Sequence, residues 1–186
     1  MRIISGTARG RKLAEPAGYE TRPTTGMVKE SIFNMIQFDV EGRKVLDLFA
    51  GTGQLGIEAL SRGAKSAVFV DLSPDAAKLI RQNLIKCGLS DSATVYTRDA
   101  IKFIANEGNI NEKFDLVFID PPYGSALANE AIQKIIKIDK LDTNGIIICE
   151  LSAEFDIPAV SLPYFLCKSY NYGRVRIARY SRGHYV

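Results

Sequence analysis

The chain has a single histidine, three cysteines and no apolar run long enough to cross a bilayer. Each scarcity removes a class of function. His184 has no ligand-type neighbours that could complete a metal site, so it is assigned no catalytic role and no metal is expected. Cys87, Cys149 and Cys167 are widely spaced and odd in number, which argues against both a disulfide framework and a zinc cluster. The opening "MRIISGTARG" lacks a signal-peptide core, so the expected location is the cytoplasm, without membrane contact. No repeat, linker or low-complexity tract appears, and 186 residues suit one domain with one substantial core.

What is present is a globular balance, 46% hydrophobic and 24% charged residues, with an uneven distribution of charge. Residues 1–44 carry 8 basic against 5 acidic groups, 45–156 carry 11 against 16, and 157–186 carry 5 against none. Basic ends flank an acidic middle, an arrangement in which the ends can hold a polyanion while the middle handles a different ligand. Arg9, Arg11 and Lys12 near one end, and Arg174, Arg176 and Arg179 near the other, are the expected phosphate contacts. Alternation in "RVRIAR" puts Arg174 and Arg176 on one strand face; Arg179 joins them only through a twist or bulge.

Three segments make up the single domain. Residues 1–20 read as a basic hairpin or extended arm across a glycine-rich turn, and 21–44 as a turn followed by an amphipathic helix capped by Thr24 or Thr25. From 45 onward, apolar strands "KVLDLF", "SAVFVD", "ATVYTR", "FDLVFID" and "GIIICEL" alternate with helical patterns near 54–62, 74–87, 100–107 and 126–138. Such alternation predicts a mostly parallel α/β sheet covered by helices. Two further β-prone runs around "NYG" predict an antiparallel hairpin closing one edge.

"GTGQLG" follows the first strand and opens a helix with the spacing G-x-G-x-x-G. Gly51 and Gly53 permit a tight turn and close ligand approach, and Gly56 lets the helix pack near the sheet. Asp71 ends the next strand twenty residues after Gly51, where a carboxylate can accept from both ribose hydroxyls of an adenosine-containing ligand. Those features fit NAD nearly as well as S-adenosylmethionine. Asp47, inside the first strand, needs a donor or a positive charge to offset its desolvation, and a methionine ammonium would serve. Asp99, closing the third strand, can accept from an adenine amine, cap the following helix, or do both.

The fourth strand ends in "DPPY". Pro121 and Pro122 stiffen the turn and offer carbonyls without N–H groups, so it is rich in acceptors and suited to gripping an amine. Asp120 and the Pro121 carbonyl can hold the two N–H groups of a nucleobase amine, while Tyr123 offers a face on which the base stacks. An exocyclic amine is a poor nucleophile, and such contacts favour a pyramidal nitrogen; catalysis is then mainly alignment and electrostatics rather than the work of a near-neutral general base.

"DLFAGTGQLGIEALSRGA" with "FIDPPY" resembles the class I, amino-methylating S-adenosylmethionine-dependent methyltransferases. With "RIISGTARGRKL", "RPTTGMVKESIFNMI" and "YNYGRVRIARY" added, essentially the whole chain resembles the bacterial RsmD family, which methylates N2 of one guanine in small-subunit (16S) ribosomal RNA. The resemblance implies a Rossmann-like, seven-stranded sheet, S-adenosyl-L-methionine as cofactor, a ribosomal particle as substrate and a monomer. It places Asp47, Phe49, Ala50, Gly51, Thr52 and Gly53 at the methionine and ribose end of the cofactor. Asp71 and Leu72 then belong to the ribose, Asp99 and Ala100 to adenine, Asp120 to Tyr123 to the target base, and Arg22, Pro23 and Thr24 lie near both ligands. Family members generally have Glu where this chain has Asp71, and often Phe where it has Tyr123. An N6-adenine or protein-glutamine methyltransferase shares the amine-gripping chemistry and stands as the alternative.

Overall fold

A computed structural model of the protein describes residues 1–16, 23–105, 112–122 and 126–183, and of residues 23–25 the backbone only. Arg22, Tyr123, His184 and the Thr24 side chain lie outside the described residues.

The amino-terminal arm is a hairpin with one antiparallel bridge, Arg2 to Lys12, reinforced by Ile3 N–H to the Arg11 carbonyl at 3.0 Å. It does not project freely. Ile3, Ala8 and Leu13 are buried in the core, so this segment is packed along its length. Helix α1 spans Pro23–Met35, so Thr24 and Thr25 sit in its first turn and do not cap it. Proline, with φ already helical and no N–H to lose, is suited to that first position.

The sheet then builds from β1 (Lys44–Leu48), β2 (Ser66–Asp71), β3 (Ala93–Thr97), β4 (Phe114–Ile119), β5 (Leu141–Ser152), β6 (Tyr164–Tyr172) and β7 (Val175–Arg182). Between them run α2 (Gln54–Ser61), α3 (Pro74–Cys87), α4 (Ala100–Ile104) and α5 (Leu127–Lys137). The seven strands lie in the order β3-β2-β1-β4-β5-β7-β6. The first five are parallel to one another, and β7 runs antiparallel to both β5 and β6. The expected hairpin is therefore present, with β6 on the outside. Helix α4 spans Ala100–Ile104, and residues 106 and 107 of the expected helix lie outside the described residues.

Alternating residues feed two cores. Phe69, Phe118, Ile148 and Ile177 face the arm, α1, α2 and α3. Val70, Val117, Ile119 and Cys149 face α4 and α5. After β3 the chain returns to the other side of β1, so the strand order reverses between β1 and β4. In an open α/β sheet, ligands bind outside the carboxyl ends of the strands at that reversal.

Candidate active site

The loop leaving β1 reverses tightly before α2. Phe49, Gly51 and Gly53 have φ of 59°, 53° and 76°. A bulky aromatic at positive φ is strained by about 1–3 kcal/mol, and such strain gathers where ligands are held. Helix α2 begins with Gly53 in the left-handed conformation and no side-chain cap. Gly56 lets the helix sit directly on the sheet: a Cβ there would lie 2.3 Å from the Phe69 ring and 3.1 Å from Asp47 Oδ2. That closeness brings Gly56 N–H to Asp47 Oδ2 at 2.9 Å.

Asp47 is 1% exposed. Burial pushes its carboxyl up to about 7, the Gly56 N–H pulls it down and the charge of Asp71 adds to the rise. Among the described residues no cationic side chain pairs with it. Gln54, the first residue of α2, holds a buried side-chain oxygen with no partner among the described residues. An acceptor without a donor and a carboxylate without a cation thus flank one loop, which fits a ligand bearing an ammonium group.

Asp71 ties the end of β2 to the glycine loop. Its Oδ2 accepts from Gly51 N–H and its Oδ1 from Ser73 N–H, each at 2.8 Å. The carboxylate is thereby oriented toward the loop, and Leu72 next to it is 70% exposed, an apolar surface at the edge of the cleft. Asp99 caps α4, accepting from Lys102 N–H at 2.9 Å, and is half-buried; Ala100 behind it is buried. Thr52 is turned away from the cleft: its hydroxyl contacts Met1 Sδ at 3.8 Å and its carbonyl accepts from Asn83 Nδ2 at 3.0 Å.

Asp120 follows Ile119 at the end of β4, with Pro121 half-buried and Pro122 exposed. Its carboxyl is pushed well above the ordinary carboxylate range, first by burial, then by the charges of Glu150 and Asp47. Strand packing desolvates Asp120 and sets other carboxylates beside it.

Several contributors were not foreseen. Glu150, at the end of β5, is one. Another is Glu58, fully buried in α2, which accepts from Ile4 N–H at 2.8 Å, Ser5 N–H at 3.0 Å and Arg62 Nε at 2.9 Å, and pairs with Lys29 at 3.3 Å. Lys29, 3% exposed, donates to the Arg2 carbonyl at 2.6 Å, and burial lowers its pKa against the opposing pull of Glu58. Asn83 accepts from Ala14 N–H at 2.7 Å while donating to the Thr52 carbonyl, linking arm to glycine loop.

The six expected phosphate contacts do not form one surface. Arg9, Arg11, Lys12 and Arg174 are exposed, with Arg11 also donating to the Lys86 carbonyl at the end of α3. The arm tip lies against Ser61, at the far end of α2 from the glycine loop, through Thr7 N–H to the Ser61 carbonyl at 2.8 Å. Arg174 sits instead in the turn opposite the end of β5. Arg176 donates to Asn171 Oδ1 and to the carbonyls of Phe155 and Ala153, all at 2.9–3.0 Å. Arg179 reaches the Met35 carbonyl and Asp39, each at 3.3 Å, on the opposite sheet face from Arg176. No bulge in β7 reunites them: the register shift lies in β6, between Leu166 and Lys168. Both guanidinium groups are committed to internal contacts that hold the carboxyl-terminal hairpin.

The profile of the family described as conserved hypothetical protein 95 matches residues 1–181. The chain belongs to that family. It is the RsmD family that the motifs resemble. Ribosomal RNA small subunit methyltransferase D of Haemophilus influenzae is 38% identical over 163 residues, 87% of this chain and 82% of its own. The solved structure of yhhF from Escherichia coli superposes with a TM-score of 0.87 at 30% identity, covering 99% of this chain and 98% of that one. An RNA methyltransferase of Salinibacter ruber, solved with S-adenosyl-L-homocysteine, shares the fold at a TM-score of 0.65 and 15% identity, over 90% of this chain and 96% of its own.

Proposed function

We propose that the protein transfers a methyl group from S-adenosyl-L-methionine to N2 of one guanine in small-subunit (16S) ribosomal RNA, acting as a cytoplasmic monomer on an assembled ribosomal particle. The observation that carries the reading is the Asp120-Pro121-Pro122 turn standing beside the glycine loop where the strand order reverses. A relative that shares 38% identity is a small-subunit rRNA methyltransferase, which supports rRNA as the substrate.

Bound S-adenosyl-L-methionine supplies an electrophilic methyl group on a positively charged sulfur. Asp47 and the Gln54 carbonyl oxygen receive its ammonium, the glycine loop gives its chain room, and Asp71 accepts from the ribose hydroxyls. Leu72 would lie beside Asp71 at the ribose and Ala100 at the adenine, with Asp99 accepting from the adenine amine. Asp120 accepts one N–H of the guanine amine and the Pro121 carbonyl the other, which localises the nitrogen lone pair toward the methyl. Attack on that methyl group would build positive charge on N2. The Asp120 carboxylate stabilises that charge and receives the departing proton, a role its raised proton affinity suits. Tyr123 is proposed to stack on the base, and Arg9, Arg11, Lys12, Arg22, Thr24 and Arg174 to hold RNA. Arg176 and Arg179 hold the hairpin that carries Arg174.

The test is incubation with methyl-labelled S-adenosylmethionine and small-subunit particles from cells lacking the gene, followed by nucleoside analysis. Labelled N2-methylguanosine is the expected product; labelled N6-methyladenosine, or label in protein, would overturn the proposal.

A further inference from the structure

The site holds a carboxylate for which the methyl-transfer chemistry above has no task. Ile119 of β4 and Cys149 of β5 are register partners, so Asp120 and Glu150 occupy the next rung of two adjacent parallel strands. Neighbouring strands are about 4.8 Å apart, and aligned residues of a parallel pair project from the same face. Phe118 and Ile148, two residues back along each strand, both belong to the core beneath α1 and α2. Asp120 and Glu150 therefore share that face with Asp47, whose register partner is Phe118. Electrostatics agree: after burial, Glu150 is the strongest influence raising Asp120. Glu150 keeps partial solvent access, as a group that meets an incoming base must.

We propose that Glu150 is a specificity-determining residue that accepts the N1–H of the target guanine while Asp120 holds the neighbouring N2 amine. The inference rests on the guanine-N2 reading. Guanine presents N1–H and the N2 amine side by side, all donors, and two carboxylates on adjacent strands present only acceptors. Adenine places a lone pair at N1 beside its amine, so Glu150 would set acceptor against acceptor there. The amine-gripping turn alone holds either base; the second carboxylate distinguishes them. Sites built to hydrogen-bond an N–H reject analogues that lack it, because acceptor is then set against acceptor.

The decisive substrate is 2-aminopurine riboside, which keeps the exocyclic N2 amine and lacks the N1 proton. Small-subunit particles are reconstituted with guanosine or 2-aminopurine riboside at the nucleotide the wild-type protein modifies, and single-turnover transfer is measured on each. The wild type should favour guanosine by about 10- to 100-fold, the discrimination expected of one well-placed polar pair. In Glu150→Gln the amide oxygen still accepts from guanine N1–H, and the amide N–H can donate to N1 of 2-aminopurine. Guanosine methylation should then stay within about fivefold of wild type while the preference falls at least about tenfold. Glu150→Ala should lose most of the preference by slowing transfer to guanosine. Cofactor affinity and melting temperature, measured on the same samples, separate these changes from misfolding. A wild-type preference retained by folded Glu150→Gln, or no preference in the wild type, would overturn the role of Glu150 and leave guanine methylation standing. Absence of N2-methylguanosine from wild-type reactions would overturn the underlying reading and this inference with it.

Discussion

At the carboxyl end of α2, Glu58 is fully buried and surrounded by two backbone N–H groups, Arg62 and Lys29. Near the amino end of the same helix, Asp47 is buried almost as completely and receives the Gly56 N–H, with no cationic partner among the described residues. Equal burial thus serves opposite ends. The Glu58 carboxylate is compensated within the fold, and its desolvation is offset by partners that are always present. The Asp47 carboxyl is left under-compensated and shifts to about 7, the mark of a position completed by something that comes and goes. A buried charge reads as architecture or as a binding group according to its partners, not its depth.

The largest effect that would break this contrast is Glu58→Ala. It strands the Lys29 ammonium and the Ile4 and Ser5 N–H groups, and should lower folding stability by about 3–5 kcal/mol. Urea unfolding gives the number. A loss under about 1 kcal/mol would mean the polar cluster is not holding the arm to α2.

Asp120→Ala should slow single-turnover methylation about a hundredfold, near 3 kcal/mol in the barrier, with cofactor affinity almost unchanged. Transfer at the wild-type rate by a folded, cofactor-saturated variant would remove Asp120 from the chemistry. Asp71→Ala takes away both the proposed ribose acceptor and the tie to Gly51 N–H, so cofactor binding should weaken by roughly 1.5–3 kcal/mol. Titration calorimetry measures it, and an unchanged dissociation constant would assign the residue to the loop alone.

The smallest effect is the most direct probe of Asp47. Its folded pKa is raised, so the unliganded protein should lose stability as pH rises from about 4 through 7, where the native state gives up a proton that the unfolded chain has already lost. Cofactor affinity should move the other way, since an ammonium prefers the ionised carboxylate, gaining up to about tenfold per pH unit below 7. Asp47→Asn should flatten both slopes. A cofactor affinity that is level between pH 5.5 and 7 in the wild type would detach Asp47 from the ligand's amine (about 1.4 kcal/mol per unit is at stake).

The sheet was legible because each parallel strand is a nearly unbroken apolar run, and the cleft because glycines and paired prolines constrain the backbone locally. Asp47 stood out as a carboxylate inside such a run. Glu58 did not: within "GIEALSR" it looks like one half of a surface pair with Arg62, and its burial depends on Ile4 and Ser5, more than fifty residues away. Glu150 was hidden for a similar reason, since its meaning comes from β4 lying beside β5, a pairing that neither segment records. Arg176 and Arg179 erred in the opposite direction. Charge density marked them for a polyanion, while the fold uses their guanidinium groups to satisfy carbonyls and Asp39.

Helix α2 also acts as a phase setter. Its eight residues carry the glycine loop at one end and the anchor for the arm at the other. One residue inserted between Gly56 and Glu58 would turn the far end by about 100° and advance it about 1.5 Å. Glu58 and Ser61 would then face away from the arm, and the basic tip would lose its orientation although no basic residue had changed. Length variation in this family should accordingly be confined to the loops around α2, leaving the interval from glycine loop to arm anchor constant.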